Sequence, residues 1–239
     1  MLISVSNQRV NEKTVLKGAQ TVEHNPKQIV ESGYDRIAQR YLAFGQRNRA
    51  ADASSARMTY LRKLLTLLPS QTEVLELGCG AGVPCTQLLA KQAHVTGVDI
   101  SATQIALARQ HVPNATLMQA DMMALAFPPA TFDAVVAFYS IIHLPRIEQS
   151  IILMRIAEWL RPDGCLLLNL GIADDPGSIE PDWLGTAMYW SSYDAQTYCA
   201  MLEQVGLTLV ESEILSDDED GEPVSFLWVL AKKEERGRP

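Results

Sequence analysis

Basic charge, cysteine pairs and long apolar runs are all scarce in this chain, and each scarcity excludes something. Lysine and arginine total 20 against 28 aspartates and glutamates, a formal net charge of −8, and no basic stripe forms. A nucleic-acid partner is therefore disfavoured. No apolar stretch approaches the roughly 20 residues that cross a bilayer, so no membrane span is expected. Met1–Val10 turns polar directly after Leu2-Ile3, unlike a secretory signal. The four cysteines, Cys79, Cys85, Cys165 and Cys199, include no C-x-x-C pair. They read as buried or free thiols, which fits a reducing cytoplasm better than a disulfide framework.

What is present is enough apolar material for one large α/β domain, 47% of 239 residues. The chain is organised around Val74-Leu-Glu-Leu-Gly-Cys-Gly-Ala-Gly82. Val74, Leu75 and Leu77 form the apolar run of a strand covered on both faces. Gly78, Gly80 and Gly82 let the backbone turn sharply and a ligand approach where a Cβ would intrude. Pro84 suits the first turn of a helix over Pro84–Lys91. Strand, glycine turn and helix open a nucleotide-binding βαβ unit. The spacing is G-x-G-x-G with Val83 next, not the dinucleotide G-x-G-x-x-G, which disfavours a nicotinamide dehydrogenase. Cys79 fills a place in the turn where a small residue is needed, rather than acting as a reactive thiol.

A second apolar run, Ala93–Ile100, ends in Val98-Asp99. Asp99 falls at the carboxyl end of a second strand, where an acid can accept both hydroxyls of a ribose. Its competing role is a cap, with Asp99 or Ser101 starting a helix over Ala102–His111. A third strand, Thr116–Gln119, runs into Asp121, placed to accept from an adenine amino group, with Met122 and Ile100 packing on the base. A fourth follows in Phe132–Phe138.

E-L-G-C-G-A-G, G-V-D, A-D-M and F-D-A-V-V-A resemble the successive motifs of class I S-adenosylmethionine-dependent methyltransferases. The resemblance is to the small-molecule subgroup that includes the ubiquinone- and menaquinone-biosynthesis methyltransferases, and runs from about Tyr34 to Lys232. It implies S-adenosylmethionine as the cofactor, S-adenosylhomocysteine as the product, no metal, and a small-molecule methyl acceptor. It also implies a Rossmann-like seven-stranded sheet, mostly parallel, in the order 3-2-1-4-5-7-6 with the last strand antiparallel. Glu76 and Cys79 join the cofactor-binding set by their place in the first motif. Phe138 would offer its backbone carbonyl to the cofactor's amino group.

Ahead of the first strand, helical periods appear from Glu31 (Tyr34, Ile37, Ala38, Tyr41, Leu42) and over Ser55–Leu68. The pattern Tyr34-Asp35-x-Ile37-Ala38-x-x-Tyr41 resembles the helical lid of those enzymes. The expected organisation is a polar extension over 1–30, mobile or loosely docked, a helical lid over 31–70, the cofactor-binding core over 71–232, and a charged tail over 233–239. Tyr34 is expected to meet the sulfonium by its ring or hydroxyl, and Tyr41 the substrate; alternatively both are core residues on one helix face. Arg47, Arg49 and Arg57 read as a solvated face, with contact to the cofactor carboxylate as the other possibility.

Alternating strands and helices over 73–170 imply helices on both faces of a mostly parallel sheet. Beyond the fourth strand, Tyr139 and His143 lie where the transferable methyl should be. His143 reads either as a general base or substrate partner, or as a structural histidine satisfied by backbone. The structural reading is preferred, because resembling enzymes often carry a histidine here that is not the base. A proton-transfer role would still fall to His143 or Tyr139. The insertion over 171–192 brings Trp183, Met188, Tyr189 and Trp190, which would wall a pocket for an apolar or aromatic acceptor. Strands over 207–214 and 224–231 flank Ser216–Gly221, an acidic run without metal-ligand spacing, read as a solvated hairpin turn. The same fold can host two rival functions: a methyl-free rearrangement of a natural product, or a non-catalytic regulator.

Overall fold

The strands alternate in side-chain direction, and the alternation builds two cores on one sheet. The computed structural model describes residues 25–48 and 52–234. Most of the expected 1–30 extension, Arg49 and all but the first residues of the 233–239 tail lie outside them. In β1 (Thr72–Leu77) and β4 (Phe132–Ala137), the odd-numbered Leu75, Leu77, Val135 and Ala137 join one cluster. The even-numbered Val74, Ala134 and Val136 join the other. All are fully buried.

β2 (Ala93–Asp99), β3 (Thr116–Gln119) and β5 (Leu160–Leu170) extend this pair in parallel. β9 (Glu222–Lys233) runs antiparallel to β5, and β8 (Leu207–Glu219) antiparallel to β9. The order is β3-β2-β1-β4-β5-β9-β8. Numbered within the sheet, that is the expected 3-2-1-4-5-7-6 with its last strand reversed. Strand order changes direction at β1, which leaves a crevice at the carboxyl ends of β1 and β4.

Helices α5 (Arg146–Trp159) and α6 (Ala195–Gln204) cover one face through Ile152, Leu153, Ile156 and Tyr198. On the other face lie α2 (Ala56–Leu67) and α3 (Cys85–Leu89). Here the structure departs from the expected lid. Tyr60, Leu61 and Leu64 of α2 are fully buried against the sheet's Val74 and Trp228, with Tyr60 stacked 5.6 Å from Trp228. Burying each such side chain stabilises by about 2 kcal/mol, which holds α2 on the sheet face.

α1 (Pro26–Arg47) does lie over the strand ends, and begins earlier than Glu31. Asn25 caps it, accepting from the Lys27 N–H at 3.1 Å, and Pro26 occupies the first turn. Val30, Tyr34 and Ile37 pack on Met188 and Tyr189 of β7 (Thr186–Ser192). Asp35 fastens α1 to the start of α4 (Ala102–His111), accepting from Ser101 Oγ at 2.6 Å and the Thr103 N–H at 2.9 Å.

Two regions are more regular than expected. The 171–192 insertion is an antiparallel hairpin of β6 (Asp175–Trp183) and β7. β8 and β9 continue pairing through the acidic run to Glu219 and Glu222, turning at Asp220-Gly221, both at positive φ. The hairpin tip reaches the end of α1, where Arg47 Nη2 meets Asp220 Oδ2 at 3.1 Å and Asn48 Oδ1 accepts from the Asp220 N–H. No helix among the described residues is long and apolar enough to cross a membrane.

Candidate active site

The three glycines after β1 serve three different neighbours. A Cβ on Gly78 would sit 2.3 Å from the Ser140 Cβ, so Gly78 admits the loop after β4. A Cβ on Gly82 would meet Val112 and Ala108 at 3.1 and 3.3 Å, so Gly82 admits α4. Gly80 is different: its nearest neighbour is Gln104 Oε1 at 3.9 Å, and that side opens on a cavity. All three hold positive φ.

This inner cavity, about 660 Å³ with its open mouth, sits at the strand ends. Gly78, Gly80, Asp99, Ile100, Asp121, Met122 and Phe138 line it, with Tyr34, Tyr41, Tyr139 and His143 on the α1 side. It shares Tyr34, Tyr41, Gly78, Gly80, Phe138 and Tyr139 with a larger outer chamber of about 2340 Å³, much of it open to solvent. Glu76, Cys79, Trp183 and Trp190 line only the outer chamber. Gly82, Met188 and Tyr189 line neither. Gly82 is filled by α4, and the other two are buried in the cluster that seats α1.

Asp99 anchors the turn. Its Oδ2 accepts from the Gly80 N–H and its Oδ1 from the Ser101 N–H, both at 2.9 Å, and lone pairs remain for a ligand. Ser101 Oγ, not Asp99, caps α4, accepting from the Gln104 N–H. Burial pushes Asp99 up to about 6, against the pull of those two N–H groups. Burial also pushes Glu76 up to about 7, although Thr86 Oγ1 donates to it at 2.6 Å. Cys79 is buried beside Gly97, and burial raises its thiol well above the ordinary value, so it is an unreactive packing group.

Asp121 holds an ion pair that the sequence did not reveal. Lys27 Nζ lies 2.7 Å from Asp121 Oδ2 and 2.9 Å from Glu148 Oε2, and Lys27 itself lines the cavity. The other Asp121 oxygen accepts from the Met123 N–H.

Across the cavity, the Tyr34 hydroxyl lies 2.8 Å from His143 Nε2, and His143 Nδ1 lies 2.8 Å from the Tyr189 carbonyl. A carbonyl only accepts, so Nδ1 carries the proton, Nε2 accepts, and Tyr34 donates. Burial pushes His143 down to about 4, against the Tyr189 carbonyl, and the ring is neutral. His143 also packs 4.5 Å from Trp190. Trp183 contacts Tyr34, Tyr41, Phe44 and Trp190 at 5.2 to 6.2 Å between centroids, forming an aromatic wall.

Tyr139 stands where the two spaces meet, at a positive φ of 51°, with its N–H donating to Asn169 Oδ1. Arg57 lies over its ring at 4.4 Å, half-buried, on the chamber wall and not on a solvated face. Asp217, Asp218 and Glu219 line the chamber too, so the acidic run is a wall as well as a turn. It lacked a signal in the sequence because only tertiary pairing brings the hairpin tip to α1.

Comparison with known proteins meets this geometry at its centre. Residues 74–164 match the profile of a methyltransferase domain family, a span that holds the glycine turn, Asp99, Asp121 and His143. This chain carries a methyltransferase domain. Over 157 residues it is 31% identical to methyltransferase GfsG of Streptomyces halstedii, covering 61% of this chain and 56% of that protein. Over 161 residues it is 29% identical to the ubiquinone biosynthesis O-methyltransferase of Xylella fastidiosa, covering 59% of this chain and 64% of the relative. The chain thus spans between about a third and two thirds of the length of the curated relatives it matches. The crystal structure of the cyclase SpnF superposes with a TM-score of 0.65 at 16% identity, covering 88% of this chain and 96% of the other. That likeness concerns the fold, which this methyltransferase domain shares beyond the matched 74–164.

Proposed function

We propose that the protein transfers a methyl group from S-adenosylmethionine to an oxygen, nitrogen, sulfur or carbon nucleophile of a small molecule. The observation that carries this is the shape of the cavity. A carboxylate, an open glycine backbone and a second acid line one side, three tyrosines face them at the passage to the outer chamber, and a histidine faces them within the inner cavity.

The residues present fit such a cofactor. Gly80 leaves space where a Cβ would stand, and Asp99 keeps acceptor capacity beside it. Asp99 would take the ribose hydroxyls, Asp121 the adenine amino group, and Ile100 and Met122 the faces of the base. When bound, S-adenosylmethionine supplies an electrophilic methyl on a cationic sulfur. The chain contributes position: Tyr34, Tyr41 and Tyr139 would fix the approach of the acceptor from the chamber. Excluding water also helps, because charge disperses as the methyl moves. A hydroxyl acceptor needs its proton removed. Tyr34 already donates to His143 Nε2, so that proton would pass through the Tyr34 hydroxyl to the imidazole.

The acceptor is read from the chamber. Trp183, Trp190, Phe44 and Phe226 favour a molecule with an apolar or aromatic body. Asp52, Glu76, Asp175, Glu180, Asp217, Asp218 and Glu219 face Arg57 as the one described basic side chain on the wall, which disfavours an acceptor carrying several negative charges. A cytoplasmic location belongs to the same reading, supported by four cysteines that are all free.

The test is transfer of labelled methyl from S-adenosylmethionine into a panel of phenols, amines, thiols and carboxylates. Labelled product with stoichiometric S-adenosylhomocysteine is expected. Conversion of an acceptor without release of S-adenosylhomocysteine would replace this reading by a methyl-free rearrangement.

A further inference from the structure

We infer that the methyl acceptor carries a single oxygen anion, a carboxylate or a phenolate, on its apolar body, and that Arg57 in the outer chamber selects it. The inference rests on the proposed methyl-transfer reading and narrows its acceptor. Arg57 stands in the first turn of α2 and is the one described basic side chain on the chamber wall. It is half-buried, and its Nε is shut off from solvent without a hydrogen-bond partner. Among the described residues no carboxylate forms an ion pair with it. The acids around it are placed otherwise. Glu76 accepts from Thr86 Oγ1, Asp175 from Ser178 Oγ, and Asp217 faces the Tyr139 hydroxyl at 3.5 Å. Asp52, Glu180 and Asp218 are exposed, and water screens them. Burial raises Glu219, and the Arg57 charge pulls against it from beyond ion-pair distance. A guanidinium is a permanent cation, so half-burying it without a counter-ion is costly, and a ligand's charge can make up the deficit.

The neighbours say what that ligand looks like. Arg57 lies over the Tyr139 ring, 4.4 Å from its centroid. Burial pushes the Tyr41 and Tyr139 hydroxyls up and the Arg57 charge pulls both down, so the three groups share one corner of the chamber. From there the Tyr41 ring stands 5.7 Å from Trp183, and Trp183 stands 5.2 Å from Trp190. Trp190 Nε1 is a second buried donor without a partner. Cation and unmet donors thus border a flat aromatic wall, which suits a ring on the indoles with its oxyanion toward the guanidinium. A second negative charge would meet the acids of the wall, and an ammonium would meet Arg57 as a like charge. Arg57 lines the outer chamber and not the inner cavity, which favours the acceptor over the cofactor's own carboxylate as its partner.

The test is calorimetric titration of naphthoate, naphthylmethanol and naphthylmethylamine into protein saturated with S-adenosylhomocysteine. The probes share one ring system and differ in charge. The unaltered protein should bind naphthoate about tenfold more tightly than the alcohol, and the amine most weakly, a ranking that needs no variant. Arg57→Met keeps the packing of the stem and should erase the preference for naphthoate, while Arg57→Lys should restore part of it. Both variants should hold S-adenosylhomocysteine within about twofold of the parent. Equal binding of the three probes by the unaltered protein overturns the inference, and so does binding of none. An Arg57→Met protein that keeps the naphthoate preference but loses S-adenosylhomocysteine overturns it too, and gives Arg57 to the cofactor. If the unaltered protein never takes up S-adenosylhomocysteine, the methyl-transfer reading fails first and takes this inference with it.

Discussion

The Tyr34 hydroxyl and His143 Nε2, 109 positions apart in the chain, form a buried 2.8 Å hydrogen bond whose direction is fixed by the Tyr189 carbonyl behind it. Tyr34→Phe deletes the donor and leaves Nε2 unmet, which should cost about 1–3 kcal/mol of stability. With a hydroxyl acceptor, kcat should fall about tenfold while S-adenosylhomocysteine affinity holds. Steady-state kinetics beside titration checks this, and unchanged turnover removes the hydroxyl from the proton path.

Two buried groups give stability opposite pH dependences. His143 falls from 6.5 to about 4 on folding, so the unfolded chain binds more protons and stability is lost as pH drops through that window. Glu76 rises from 4.5 to about 7, so its contribution is present at low pH and lost as pH climbs through about 7. Urea unfolding of Glu76→Gln should show a gain over the parent near pH 8 that shrinks near pH 5, a difference of about 2 kcal/mol. A constant offset across pH would show that Glu76 ionises as an ordinary surface acid.

Asp99→Ala should weaken S-adenosylhomocysteine about a hundredfold, since bonds to a charged acceptor are each worth about 1.5–3 kcal/mol. It also frees the Gly80 and Ser101 N–H groups, so a fall in melting temperature is expected alongside. Titration that finds intact affinity removes Asp99 from the ribose.

Alanine at the glycines should separate folding from binding. Gly78→Ala drives a Cβ into Ser140 and should unfold the protein or cost about 3 kcal/mol. Gly80→Ala meets open space and should cost only about 1 kcal/mol of backbone strain, yet block the ligand. Thermal melts and titration of the pair read both effects. Matching profiles would mean that Gly80 faces no ligand.

Trp190 lines the outer chamber and not the inner cavity, so Trp190→Ala should act chiefly on the acceptor. KM for the methyl acceptor should rise several-fold while S-adenosylhomocysteine affinity stays within about twofold. Loss of cofactor affinity instead would join the two spaces into one site.

The core of this fold was legible because β1, β4 and β5 carry runs that are apolar on both faces, and glycine, asparagine and proline punctuate the gaps between elements. The less legible parts have physical causes. β6 is exposed at nearly every position, so no alternation marks it as a strand. Asn25-Pro26 was a readable helix start, overshadowed because the apolar period only becomes regular at Tyr34. α2 carries an amphipathic stripe that does not say which surface it will meet, and the sheet face won. Within the site, Asp99 and the glycines announce themselves by spacing. Lys27 and Arg57 do not, because each draws its meaning from residues distant in the chain.

The ammonium of Lys27 occupies one oxygen of Asp121, the carboxylate that the proposed cofactor reading gives to the adenine amino group. Under that reading, filling the pocket is an exchange of partners, with the cation drawing back as a purine settles. The first turn of α1 would slacken as the nucleoside arrives, and dissolved salt, by loosening the incumbent ion pair, would ease the newcomer's arrival.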